Sequence, residues 1–227
     1  MPTLSPATLR LEYRLETPNL LLTIAWATRT AAGSLSRQLS EQDAAGIAAL
    51  ARALSTRGAG WEPLSNRVAD LLLGGIEPLD GVRRLIVSVP EAASPLRAIP
   101  FEALGTPPLL ERFAVWYELS GGDYMGPRLT SLWPVPPETT ARFNRRFGDE
   151  SAKGYEIAEA LRRVKLEWLR SGGEQAHPFH WAGFVLSGDG AKVTPPVIPW
   201  LWGTGAGLLS ASVAFLIWWR RKRFELL

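Results

Sequence analysis

Leu9, Leu11, Tyr13 and Leu15 alternate with Arg10, Glu12, Arg14 and Glu16, the period of two that puts one strand face in a core and the other in water. After Thr17-Pro18-Asn19, the positions Leu20, Leu22, Ile24 and Trp26 alternate again, so the two segments predict a β-hairpin. Ser40 followed three residues later by Asp43 has the form of a capping box, and Ile47, Leu50 and Leu54 then line one face of a helix. A second helix is expected from Pro63 to Leu73 on Leu64, Val68, Leu71 and Leu72, ending at Gly74-Gly75.

The run Leu85-Ile86-Val87-Ser88-Val89 is apolar without alternation and of strand length, as a strand covered on both faces requires. Phe113 to Leu119 and Arg128 to Val135 predict two more strands. The eight residues from Ser120 to Pro127 are too few for a parallel crossover, so these two strands either pair antiparallel or are not neighbours. A helix over Glu138 to Phe147 follows. A longer amphipathic one is expected from Gly154 to Arg170, with Ile157, Leu161, Val164 and Trp168 inward and Glu159 paired with Arg163 on the wet side. The last strand runs from Trp181 to Ser187. Strands alternating with helices define a layered α/β domain over residues 1–190.

Beyond a Pro-rich linker (191–196), residues 197–219 carry no charge. Their 23 residues reach about 34 Å as a helix, enough for a hydrocarbon core of about 30 Å. Trp200 and Trp202 stand at one end and Trp218 and Trp219 at the other, the two interfacial depths such rings prefer, and Arg220, Arg221, Lys222 and Arg223 then stop the segment. A single-pass transmembrane helix with a basic tail (220–227) is the expectation, with the lipid bilayer as partner. Gly203, Gly207 and Ala211 form a small-residue row on which two such helices could pack, a route to self-association.

The positive-inside tendency puts the tail in the cytoplasm and the body across the membrane. Against this, Arg10, Glu12, Arg14 and Glu16 interrupt every apolar run of a would-be signal peptide, and the expectation adopted is a tail-anchored protein with a cytoplasmic body.

Charge and residue inventory narrow the function. Of 25 Lys+Arg and 22 Asp+Glu, the tail holds four bases and one acid, leaving 21 of each elsewhere. The body therefore has no general attraction for phosphate backbones, and nucleic acid is not an expected partner. The absence of cysteine removes disulfides, thiolate metal sites and any cysteine nucleophile. His177 and His180 lack further ligands at metal spacing and read as the lead-in to a strand. Asp149-Glu150 reads as a solvated surface turn, and the GxSxG, P-loop, GxGxxG and HExxH patterns are missing. No cofactor, metal or catalytic residue is expected from residue types.

Four stretches, in order, resemble the CHAT domain, a caspase-like protease family of mainly bacterial proteins often attached to tetratricopeptide repeats. They are Arg84 to Pro90 with Leu96-Arg97-Ala98-Ile99-Pro100-Phe101-Glu102-Ala103-Leu104; Leu110 to Tyr117; Ser131-Leu132-Trp133-Pro134-Val135 with Thr139 to Phe143; and Ala160 to Arg163 with His177-Pro178-Phe179-His180-Trp181 through Asp189. The resemblance implies a caspase-like α/β/α sandwich. Pro100, Phe101, Leu132, Trp133, Pro134, His177, Pro178 and Trp181 then carry family-motif structural roles.

The family's two central strands, which end in the catalytic histidine and cysteine, would fall between Leu119 and Arg128, where only Ser120 to Pro127 remain. Neither catalytic residue has a counterpart, so the resemblance implies a shortened sheet and a non-catalytic binding or scaffolding pseudoprotease. The excision is expected to bring the Leu85–Val89 strand towards the Leu129–Trp133 strand. Strand edges exposed beside the gap would invite a protein partner. The alternatives are half of a split cysteine peptidase completed by another chain, and a non-functional remnant.

Overall fold

A computed structural model describes residues 4–77, 79–90, 94–119 and 127–188. Among these, the chain is mixed α/β, with one seven-stranded sheet in the order β3-β2-β1-β4-β5-β7-β6 and four α-helices. The alternating N-terminal segments form β1 (Thr8–Glu16) and β2 (Leu21–Ala27), antiparallel with Tyr13 opposite Ile24. The expected hairpin is a three-stranded meander, because β3 (Ala32–Gln38) pairs along the whole of β2. Leu35 is the one large apolar side chain in β3, so an edge strand of small and polar residues carries almost no periodic signal.

The helix α1 (Glu41–Ser55) begins in a complete capping box. Ser40 Oγ accepts the Asp43 N–H at 3.1 Å and Asp43 Oδ2 accepts the Ser40 N–H at 3.1 Å, while Ile47, Leu50 and Leu54 are fully buried. The next helix, α2 (Trp61–Leu73), starts two residues before Pro63, which an early helical position tolerates. Tyr13 Oη donates to Leu72 O at 3.0 Å and ties α2 to the sheet.

Strand β4 (Arg84–Val89) is central, parallel to β1 on one side and to β5 (Ala114–Leu119) on the other. The registers align Leu11, Val87 and Tyr117 across three strands on one face, each at most 3% exposed. Ile86 and Trp116 are as deeply buried on the opposite face, so β4 reads continuous rather than alternating for the reason anticipated.

Several expectations need correction. The strand anticipated over Arg128 to Val135 is β6 (Arg128–Ser131) alone, since at Leu132 the chain turns and Trp133 enters the core ahead of Pro134. Helix α3 (Pro137–Ala152) continues past Phe147, so Asp149 and Glu150 lie in a helix and Glu150 is 5% exposed rather than solvated. Helix α4 (Ile157–Arg170) starts three residues after Gly154, whose φ of +82° interrupts the helical path. The pair expected between Glu159 and Arg163 does not form. Glu159 meets Arg162 at 3.3 Å, whereas Arg163 reaches across to Glu150 at 3.2 Å. The last strand, β7, spans Phe184–Ser187 because residues 178–180 form a 3-10 turn.

Candidate functional site

In open α/β sheets, chemistry gathers at the carboxyl ends of the parallel strands. Here those strands are β1, β4, β5 and β7. The anticipated juxtaposition of the Leu85–Val89 and Leu129–Trp133 segments does not occur, since β5 and β7 lie between them. Strand β7 settles directly on β5. Tyr117 pairs with Ser187, the Gly188 N–H donates to Tyr117 O at 3.2 Å, and Trp116 Nε1 donates to Gly188 O at 2.9 Å. Strand β5 is therefore an interior strand, and the free edges among the described residues are those of β3 and β6. Of the two alternatives for the Phe113–Leu119 and Arg128–Val135 segments, the second holds, since β7 lies between β5 and β6 and pairs antiparallel with β6.

Beneath this junction lies the most deeply buried polar cluster described. The 3-10 turn Phe101–Ala103 holds Glu102, 2% exposed, against Lys165 of α4, 1% exposed, with Nζ donating to Glu102 Oε1 at 2.5 Å. Tyr117 Oη donates to Glu102 Oε2 and itself accepts the Phe101 N–H at 2.8 Å. Burial pushes the Tyr117 phenol well above its usual value, with the Glu102 charge adding to it. Burial lowers the Lys165 ammonium against the opposing pull of Glu102.

The sequence reading missed this cluster. Glu102 is one residue of a motif stretch, Lys165 lies off the expected inward stripe of its helix, and 63 residues separate them. Chemically the arrangement is a closed network, since each polar group already has its partner.

The residues singled out by motif divide clearly by place. Pro100 precedes the turn that sets Glu102, and the Phe101 ring lies 5.1 Å from Tyr13 and 6.3 Å from Tyr117. The Leu132 N–H donates to Gly183 O at 2.9 Å, and Trp133 Nε1 donates to Phe179 O at 3.1 Å, with exposed Pro134 following. His177 Nδ1 accepts the Phe179 N–H at 3.1 Å and starts the turn in which Pro178 is buried. Trp181, fully buried, donates from Nε1 to Ala176 O at 2.9 Å.

Both histidines precede the amino end of β7, at the opposite end of the strand from the β5–β7 junction. Among the described residues no cluster of His, Cys, Asp and Glu could hold a metal ion, and no helix is long and apolar enough to cross a membrane. The anchor residues Trp200, Trp202, Trp218, Trp219 and Arg220 to Arg223, and the row Gly203, Gly207 and Ala211, lie outside the described residues.

Comparison with known proteins places the class. A family model described as CHAT domain matches residues 125–189, which covers the last two of the four motif stretches; the first two lie before it. The match to the CHAT family is thus confined to residues 125–189, and the lack of cysteine leaves the chain without a thiol nucleophile of its own. It is similar to Tetratricopeptide repeat protein 28 of Homo sapiens, with 34% identity over 68 residues. That match covers 30% of this chain and 3% of the human protein. No solved structure matches the chain.

Proposed function

We propose that this protein is a membrane-anchored, non-catalytic CHAT-domain module that binds or scaffolds other proteins from a caspase-like layered body with a shortened catalytic region. The observation that carries the reading is the β5–β7 junction. At the position where the family would carry its histidine- and cysteine-bearing strands, β7 is bonded to β5 through Tyr117, Trp116 and Gly188, and the chain contains no cysteine. A thiolate and a base within hydrogen-bond reach cannot be assembled from it.

The anchor is residues 197–219, held by its tryptophan pairs and the tail cations, with the body on the cytoplasmic side. Support for a protein partner comes from the tetratricopeptide repeats in the name of the human relative, since such repeats stack into extended binding surfaces. The split-enzyme reading differs in requiring two strands from another chain to enter between β5 and β7, which breaks the bonds across that junction. The remnant reading is opposed by the body's single continuous core, in which Leu9, Leu11, Leu85, Phe101 and Trp181 are fully buried.

The test is purification of the tagged full chain from its native membranes. The proposal expects resistance to alkaline carbonate extraction, a co-purifying protein, and no labelling of that partner by a cysteine-peptidase activity probe. Release by carbonate overturns the anchor, and a probe-labelled partner with peptide-cleaving activity overturns the non-catalytic assignment.

A further inference from the structure

The pairing of Ser131 with Phe184 sets the end of β6 beside the start of β7, and there a cleft of about 700 Å³ opens, away from the β5–β7 junction. His180 lines it. Its side chain is 8% exposed and its Nε2 is buried with no hydrogen-bond partner. The nearest carboxylate, Glu174, is 3.8 Å away, beyond hydrogen-bond range, and already engages Arg57 Nη1 at 2.6 Å. A buried polar atom without a partner is uncommon enough in folded proteins to require a reason.

Two further features face the same space. Arg142 lies over the Trp168 ring at 5.1 Å and donates to Gln175 Oε1 at 2.9 Å, but has no carboxylate partner among the described residues. The N-terminus of the 16-residue helix α3 forms a wall, with Pro136 supplying no side-chain cap. The first-turn N–H groups of Glu138 and Thr139 have no intrahelical acceptor, and such a terminus favours negative charge. Two carboxylates also border the cleft. Glu174 is neutralised by Arg57, and Glu138 is exposed in the first turn.

We propose that this cleft binds an oxyanion, the carboxylate or phosphate group of a small solute, held between His180 Nε2, the Arg142 guanidinium and the first turn of α3. Burial, reinforced by Arg57, keeps the His180 imidazole below its ordinary pKa. A neutral ring protonated at Nε2 is then a donor, like the other two groups. The volume exceeds that of a bare ion and leaves room for the solute's remainder. Nothing in this site depends on whether the chain is catalytic.

The chain's two histidines make the test selective. The full chain, in uncharged detergent and labelled with 13C and 15N in histidine, is titrated with inorganic phosphate and separately with acetate at constant ionic strength. His180→Phe identifies the His180 imidazole signal by its loss. The expected result is a saturable shift of that signal with at least one anion, with His177 moving far less. The apparent Kd should rise at least tenfold in Arg142→Gln, a change at an exposed position that leaves the near-UV dichroism intact. Saturation by one anion alone identifies which chemistry the cleft prefers. No saturable shift with either, or equal affinity in Arg142→Gln, overturns the proposal.

Discussion

Replacing Lys165 with methionine keeps the unbranched stem inside the core but removes the ammonium that faces Glu102. At 2.5 Å the gross attraction is about 7 kcal/mol for an effective dielectric near 20, most of it offset by desolvating both ions. What decides the outcome is the charge left behind. Glu102, 2% exposed, would keep only the Tyr117 hydroxyl, and breaking such a pair costs roughly 3–5 kcal/mol. That is a large share of the roughly 5–15 kcal/mol that stabilises a typical domain.

The assay is urea unfolding of the full chain in uncharged detergent, followed by near-UV dichroism. The midpoint should fall with little change of slope in Lys165→Met. The double variant Glu102→Gln/Lys165→Met should regain at least half of the loss, since no unpaired charge remains. The pH dependence has a defined sign. Lys165 binds its proton less tightly folded than unfolded, so the unfolded chain carries more protons between the depressed folded value and the ordinary 10.5. Stability should rise with pH through that window in the wild type, and this contribution should vanish in Lys165→Met. A loss below about 1 kcal/mol, with additive single and double variants, would refute the view that this pair is a closed structural unit.

Other expectations follow from single contacts. Tyr117→Phe removes a hydroxyl that serves both Glu102 and the Phe101 N–H, and thermal unfolding should register about 1–3 kcal/mol. Gly183→Ala would put a Cβ 2.7 Å from Trp133 Cε2, a clash with a buried ring, so a loss of about 1–3 kcal/mol is expected in the same measurement. Ser40→Ala should cost about 1 kcal/mol through the lost cap. The Ser40 hydroxyl first, and Arg67 second, hold the Asp43 carboxyl down to about 2, so its stabilisation is present above pH 3.8 and lost as pH falls through 2. An acid titration of Asp43→Asn should lack that component.

How much was legible depended on whether the signal was local. The capping box at Ser40 and Asp43, the alternation in β1 and β2, and the apolar run of β4 are each written within a few residues, and the fold uses them as read. Strand β3 was missed because an edge strand buries little, and its partner β2 supplies the pairing that its own composition does not announce. Strand ends failed where a tryptophan follows the strand, as at Trp133, since apolar character there marks core entry rather than extension of the sheet. The Glu102–Lys165 pair and the His180 cleft were invisible for a different reason. Each joins positions far apart in the chain, and only the folded topology gives either residue its neighbour.

The proposed function stands on β7 being seated directly on β5, where the CHAT resemblance would place two catalytic strands. Because the chain has no native cysteine, spin labels at Glu12→Cys on β1 and Arg128→Cys on β6 can report the width of the sheet by pulsed electron resonance. Four strand spacings of about 4.8 Å separate these strands, so the backbone distance should be about 19 Å, both in the purified chain and in native membranes. A population near 29 Å, the width with two further strands inserted, would contradict it.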